Sequence, residues 1–311
     1  MDSQNNNLYN VFLGLCKEIY NPKEGTIHLN GVNKDIKSIF NYAYKNRLVH
    51  HLALNYKDKF KGDNKSYIST FVSEYNNYKK AIRDSITIIK EYMKEQPFII
   101  IKTFSSYPHL TNDIDVVVEN ENIAKNLNKK LLKYKGIFPV DVNTEISWRG
   151  ADAISNGFIW RNIEKFSFEG ISFFVPNPQL DVLIRMAHVP FELAVVRLGE
   201  LLHIYRQISF SSVDISNLKR EVELMNWRKT FNKMLYIFDI LHFSLFDTPF
   251  FAKLRYHSLA FSSSGKIEFP YRVPISILIQ GVVEKKAWKK ISGARFLIKD
   301  WFLEWVDRNI L

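Results

Sequence analysis

The chain has 311 residues, of which 46% are apolar, 14% aromatic and 24% charged. That balance excludes collagen-like, low-complexity and natively disordered architectures, and the length suits about two domains, because single cores seldom grow past roughly 250–300 residues. The 43 Lys and Arg outnumber 32 Asp and Glu, leaving a net charge of +11. Such a surplus favours a polyanionic partner: nucleic acid, nucleotide phosphates or an acidic membrane face.

The single cysteine, Cys16, excludes a disulfide framework and any cysteine-held zinc or iron–sulfur site. It reads as a small buried apolar residue. The opening MDSQNNNLYN lacks the basic and apolar regions of a signal peptide. The longest apolar run, MLYIFDILHFSLFDTPFF (234–251), is interrupted by Asp239, His242, Asp247 and Pro249. It therefore reads as a buried helix and not as a membrane span. A cytoplasmic protein without membrane attachment is expected.

In chain order, residues 1–95 are predicted helical. LYNVFLGLCKEIY (8–20) and IKSIFNYAYKNRLVHHLALNY (36–56) space their apolar residues by three and four. A third helix carries Ile68, Phe71, Val72, Tyr75, Tyr78, Ile82, Ile86, Ile89 and Met93 on one face, with Asp63 or Ser66 as cap and Pro97 past its end. The pattern then changes. PFIIIKTF (97–104) reads as a buried strand, SSYPHLTN (105–112) as loop and DIDVVVE (113–119) as a second strand. NENIAKNLNKKLLKY (120–134) is an amphipathic helix stopped by Gly136, FPVDVNTEISW (138–148) a third strand, and FSFEGISFFVP (166–176) a hairpin turning at Glu169-Gly170. Helices return with QLDVLIRMAHVPFELAVVRLGELLHIYRQI (179–208) and continue to the end of the chain. The predicted organisation is 1–95 helical, 96–177 an α/β core and 178–311 helical, an α+β fold overall.

The sharpest chemical signal is Asp113-Ile114-Asp115 inside an apolar strand. Carboxylates two residues apart on a strand share a face, about 6.5–7 Å apart along the chain. Like charges held so closely need compensation, and a divalent cation with hard oxygen ligands supplies it. The bland alternative is a solvated strand end beside Thr111-Asn112. A third carboxylate would come from the next strand, which offers Asp141 and Glu145. Asp141 is preferred, because it follows an apolar start just as Asp113 does, with Glu145 as the fallback.

Strand, loop, Asp-x-Asp strand, helix and acid-bearing strand together resemble the nucleotidyltransferase superfamily with the DNA polymerase β-like fold. IIIKTFSSYPHLTNDIDVVV, VDVNTEISW and FFVPNPQLDVLIRMAH resemble, within it, a family of uncharacterised nucleotidyltransferases with a Lys-loop-Asp-x-Asp motif. The resemblance spans about residues 97–190 and implies a small mixed-sheet core flanked by helical regions. It also implies Mg²⁺ or Mn²⁺ on Asp113, Asp115 and Asp141, the three acting catalytically, with a nucleoside triphosphate as substrate. The superfamily usually opens the loop with Gly-Ser. Here Lys102-Thr103-Phe104-Ser105-Ser106 stands in that place, so Lys102, Thr103, Ser105 and Ser106 are the candidate phosphate-binding residues.

Weaker candidates are read mainly as structural. His109 is expected to be a solvated loop histidine, and His188 and His203 satisfied core residues; Arg149 could as well reach a phosphate as lie at the surface. His50-His51 lacks acids at ligand spacing. No phosphate-binding P-loop or nucleophile elbow occurs. Lysines cluster at 57, 59, 61 and 65, at 125, 129, 130 and 133, and at 285, 286, 289 and 290 around Trp288. These read first as solvated faces and second as an RNA or DNA track. The expected function is metal-dependent transfer of a nucleoside monophosphate to an acceptor hydroxyl, with RNA favoured and a protein or small molecule as the other acceptors. The competing class is a nucleotidyltransferase-fold module that binds nucleic acid or protein without catalysis; a transferase acting on tRNA ends is a narrower form of the first.

Overall fold

The computed structural model describes residues 13–20, 36–148, 151–248, 250–251 and 269–285. The fold is α+β. It divides into two compact units, the first comprising Met1–Glu145, Ile159–Asp181 and Arg197–Val213, the second Ile146–Phe158, Val182–Val196 and Asp214–Leu311. These divisions do not follow the expected boundaries at 95/96 and 177/178. The N-terminal helices and the strands share the first unit because one long helix packs its apolar face on the sheet.

Along the chain, α1 (13–20), α2 (Ile36–Lys45), α3 (Val49–Tyr56) and α4 (Gly62–Met93) come first. They are followed by β1 (Phe98–Ile101), β2 (Ile114–Val118), α5 (Glu121–Leu131), β3 (Val140–Asn143), β4 (Ile146–Trp148) and β5 (Ala151–Ile154). Next are α6 (Asn156–Arg161), β6 (Ile163–Phe168), β7 (Ile171–Pro176), α7 (Pro178–His188), β8 (Val195–Val196) and α8 (Leu198–Phe210). The last described elements are α9 (Ile215–Leu224), α10 (Arg228–Phe246), β9 (Tyr271–Arg272) and α11 (Ile275–Glu284).

The first unit is built on a five-stranded mixed sheet in the order β3-β2-β1-β7-β6. β1 runs antiparallel to β2 and parallel to β7, β2 parallel to β3, and β6 antiparallel to β7. Alternation sends Phe98, Ile100, Ile114, Val116, Val118, Val142, Phe173 and Val175 into one apolar cluster with Ile82, Ile86, Ile89 and Met93 of α4 and Leu127 and Leu131 of α5. The helical spacing of those α4 residues is why the N-terminal region cannot be separated from the sheet. α4 starts without a side-chain cap; Asp63 and Ser66, the expected caps, both lie inside it. Asn120 does cap α5, accepting from the Ile123 amide at 3.1 Å. Cys16 is buried, which pushes its thiol up to about 12.

Two expected continuous elements are broken. The strand predicted over 138–148 splits, because 140–143 pairs with β2 while 146–148 pairs with β5 in a separate two-stranded sheet. The helix predicted over 179–208 is interrupted by a π turn at Val189–Leu193 carrying Pro190, and by Ala194 at φ 56°. Within the second unit, Glu284 closes the start of α10 by accepting from the amides of Lys229 and Thr230, each at 2.8 Å. His188 pairs with Glu192 at 2.6 Å and packs on the Trp148 ring. Among the described residues no helix is long and apolar enough to cross a membrane.

Candidate functional site

The candidate site lies within the first unit, around the loop that follows β1. Register brings two of the three predicted carboxylates side by side: Asp115 on β2 is the direct partner of Asp141 on β3. Adjacent strands lie about 4.8 Å apart, and partners on parallel strands share a face. That face is opposite the one packed on α4 and α5. Register therefore distinguishes the two candidates on the third segment, since Glu145 lies past the end of β3 and is exposed. Asp113 sits just before β2 and is exposed, as is Asp141. The loop in front of Asp113 is pinned by Thr111, whose hydroxyl donates to the Asp113 carbonyl at 2.8 Å and lies 2.9 Å from the Tyr78 hydroxyl.

Like charges directly opposite on neighbouring strands repel. Two contacts offset that here. The Lys102 ammonium meets Asp115 Oδ2 at 3.0 Å, with 17% of each side chain exposed, and Asn143 Nδ2 donates to Asp141 Oδ2 at 2.9 Å. The three acids do not close into a cage, for among the described residues no three His, Cys, Asp or Glu side chains are grouped to hold a metal ion. What the geometry offers a divalent cation is a pair of hard oxygen donors in register, with Asp113 two residues along the same strand direction. That donor chemistry fits Mg²⁺ or Mn²⁺, which need few protein carboxylates when a substrate supplies further oxygens.

The loop solves its missing glycine in an unexpected way. Lys102 itself adopts φ 58°, and the Thr103 amide donates back to the Ile101 carbonyl at 2.7 Å, forming a three-residue γ-turn. The turn is thus made without glycine, by a residue that bears a charge. Thr103 is buried, and its hydroxyl donates to the Ile101 carbonyl at 3.2 Å. This turns it toward its own backbone, away from the phosphate-binding role expected of it. Lys102, Ser105 and Ser106 line a cavity of about 230 Å³, together with Ile100, Phe166 and Val175. The Ser105 hydroxyl is buried and makes no hydrogen bond.

Sequence reasoning missed the strongest polar contact at this cavity. The Ser106 amide donates to His203 Nδ1 at 3.0 Å, the Ser106 hydroxyl lies 3.0 Å from the same nitrogen, and His203 Nε2 is 2.5 Å from Asp181 Oδ2. His203 and Asp181 are only 2% and 8% exposed, so the reading of His203 as a satisfied buried histidine holds, but its partners were not foreseen. The signal available was one histidine on each of two apolar helices, with Asp181, Glu192 and Glu200 as the acids of the same stretch. α8 is set in place by Asn46, which accepts from the Leu198 and Gly199 amides at 3.2 and 3.1 Å. His109, expected to be solvated, is instead buried and packs on the Tyr107 ring. Arg149, Lys286, Trp288, Lys289 and Lys290 lie outside the described residues. Lys285 donates to the Met225 carbonyl at 2.9 Å, and burial pushes its ammonium down. Comparison of the chain with known protein families, curated proteins and solved structures finds no match.

Proposed function

We propose that the chain is a metal-dependent nucleotidyltransferase, moving a nucleoside monophosphate from a triphosphate to an acceptor hydroxyl. One observation carries the reading: the strand register that sets Asp115 beside Asp141 while Lys102, at the turn opening the loop, reaches Asp115. Two in-register carboxylates repel, and a divalent cation shared between them would remove that cost. Asp115 and Asp141, with Asp113 alongside, are the residues that would hold Mg²⁺ or Mn²⁺. Bound there, the ion would neutralise phosphate charge and lower the proton affinity of an acceptor hydroxyl. Lys102, Ser105 and Ser106 would receive phosphate oxygens, and Lys102 can pass from Asp115 to a phosphate as a point charge. The net charge of +11 favours RNA as the acceptor.

A non-catalytic scaffold is the second reading, favoured by a specific observation: the three acids are not gathered into a metal-holding group. Incubating the protein with each labelled triphosphate, Mg²⁺ or Mn²⁺, and total RNA or lysate separates the two. The enzyme labels an acceptor and releases pyrophosphate. The scaffold does neither, binds no triphosphate at millimolar concentration, and holds RNA with steep salt dependence.

A further inference from the structure

The cavity beside the 102–106 loop offers more hydrogen-bonding groups than phosphates would use. All of its lining residues belong to the first unit. Lys102, Ser105 and Ser106 supply an ammonium and two hydroxyls from the loop, and the buried Ser105 hydroxyl makes no hydrogen bond. Glu164 of β6 and Gln207 of α8 line the same cavity. Asp181, also in the lining, is taken up by His203. Among the described residues the side chains of Glu164 and Gln207 make no hydrogen bond or ion pair. The Glu164 carboxylate can only accept, whereas the Gln207 amide can accept and donate. Phe166, two residues from Glu164 and so on the same face of β6, packs on Phe104 with ring centroids 4.9 Å apart. Both rings line the cavity, with Pro176 and Pro178.

We infer that this cavity takes the base of the nucleoside triphosphate, that the base is guanine, and that Glu164 is the residue that reads it. The inference rests on the proposed nucleotidyltransferase activity, which puts phosphates on Lys102, Ser105 and Ser106, and it supplies the base preference. Charge divides the lining accordingly. The loop carries a cation and hydroxyls for phosphate oxygens, while the carboxylate on β6 repels a phosphate and attracts a donor edge. A carboxylate without a cationic partner is best satisfied by two adjacent donors, one for each oxygen. Guanine alone among the four bases has them, N1–H beside the N2 amino group; adenine and cytosine offer one amino group and uracil one N–H. Gln207 keeps an amide N–H that can donate to guanine O6. Phe104, Phe166 and the two prolines suit a planar base, which stacks on such surfaces, better than a ribose. At about 230 Å³ the cavity is smaller than sites that enclose a whole ligand, roughly 300–1,000 Å³, so it takes in only part of the nucleotide.

Titration calorimetry on the full chain in Mg²⁺ tests the readout with GTP, ATP, CTP, UTP, ITP and dGTP. GTP should bind about 10-fold more tightly than the other three ribonucleotides, within the range of a two-bond contact to a base edge. ITP, which lacks only the 2-amino group, should bind more weakly than GTP by a similar factor. dGTP, which lacks the 2′-hydroxyl, should bind as GTP does. Because Glu164 is exposed, Glu164→Gln should leave the fold intact. That variant should lose the preference for GTP and favour XTP, whose C2 carbonyl can accept from the amide that replaces the carboxylate. Equal affinity for all four ribonucleotides, or a Glu164→Gln protein that still prefers GTP to ITP and XTP, would overturn the guanine inference and leave the transferase activity standing. Weak binding of dGTP with ITP equal to GTP would assign Glu164 to the ribose and overturn the inference as well. No binding of any triphosphate would overturn both.

Discussion

The two ends of the 102–106 loop are held by contacts of different character, an ion pair at one and a histidine–carboxylate hydrogen bond at the other. At Lys102 the pair with Asp115 keeps 17% of each side chain exposed. At the other end, His203 and Asp181 keep 3% and 12% of their side chains exposed, and Ser106 is bonded to the ring through both its amide and its hydroxyl. Water can replace either partner of the first pair at small cost, so a phosphate or a cation can compete for Lys102 or Asp115. The second pair is the less exposed of the two, so exchange with water costs more there. One end of the loop is thus built to respond to a ligand and the other to stay fixed.

The largest effect should come from moving the fixed end as a body. A Cβ on Gly199 would lie 2.4 Å from the Tyr107 hydroxyl and 2.9 Å from the Asn46 carbonyl. The second contact is with backbone that also anchors α8, so it cannot swing aside. Gly199→Ala should cost about 3 kcal/mol in urea unfolding, the upper range for overpacking. Asp181→Asn comes next. It retains an acceptor for His203 but removes the charge, at about 2 kcal/mol for a hydrogen bond to an ionised partner. An Asp181→Asn protein with unchanged urea midpoint would mean that the end called fixed is not held by this pair.

Asp115→Asn tests the responsive end. The variant should lose only about 1 kcal/mol, as expected of a partly exposed pair. Its decisive readout is thermal: Mg²⁺ or Mn²⁺ should raise the melting temperature of the unaltered protein by linkage and leave that of Asp115→Asn unchanged. A metal response surviving in the variant would place the cation elsewhere. Lys102 sharpens the same end through its backbone. Lys102→Gly and Lys102→Ala both lose the ion pair, but only alanine keeps a Cβ at φ 58°. The glycine variant should be the more stable of the two by about 1 kcal/mol, the strain of a left-handed residue.

The two ends also differ in how far the sequence discloses them. The acid end was legible because its signals are local. Alternation on 113–119 and 138–148 puts Asp115 and Asp141 on strand faces, and only their register awaited the fold. The hairpin was legible for the same reason, with Glu169 at φ 49° and Gly170 at φ 82° making the turn that the dipeptide announces. Ser106, His203 and Asp181 were not legible as a group, since Ser106 and His203 stand 97 residues apart and Asp181 and His203 22. No periodicity reports such a meeting; it depends on Asn46 docking the start of α8. Two breaks escaped for a related reason. A helical period runs unbroken across Pro190 and Ala194, and a strand-like alternation continues past Asn143, the last residue paired with β2.

A third histidine–carboxylate pair provides the smallest test and an internal control. His50, buried in the first unit, lies 3.1 Å from Glu74, which is itself largely exposed. Burial holds the His50 ring below its ordinary value, and the Glu74 carboxylate opposes that without cancelling it. The unfolded chain therefore binds a proton more readily than the fold does. The contribution of His50 to stability is complete above the unfolded value of about 6.5 and declines as pH falls below it. The urea midpoint should drop between pH 7 and pH 5, and His50→Phe, whose ring can occupy the space beside Phe71 and Tyr75, should drop less. Because Glu74 reaches solvent, raising the salt should weaken its opposition to burial and steepen the decline slightly in the unaltered protein. An identical slope in His50→Phe would show that the acid sensitivity comes from other groups.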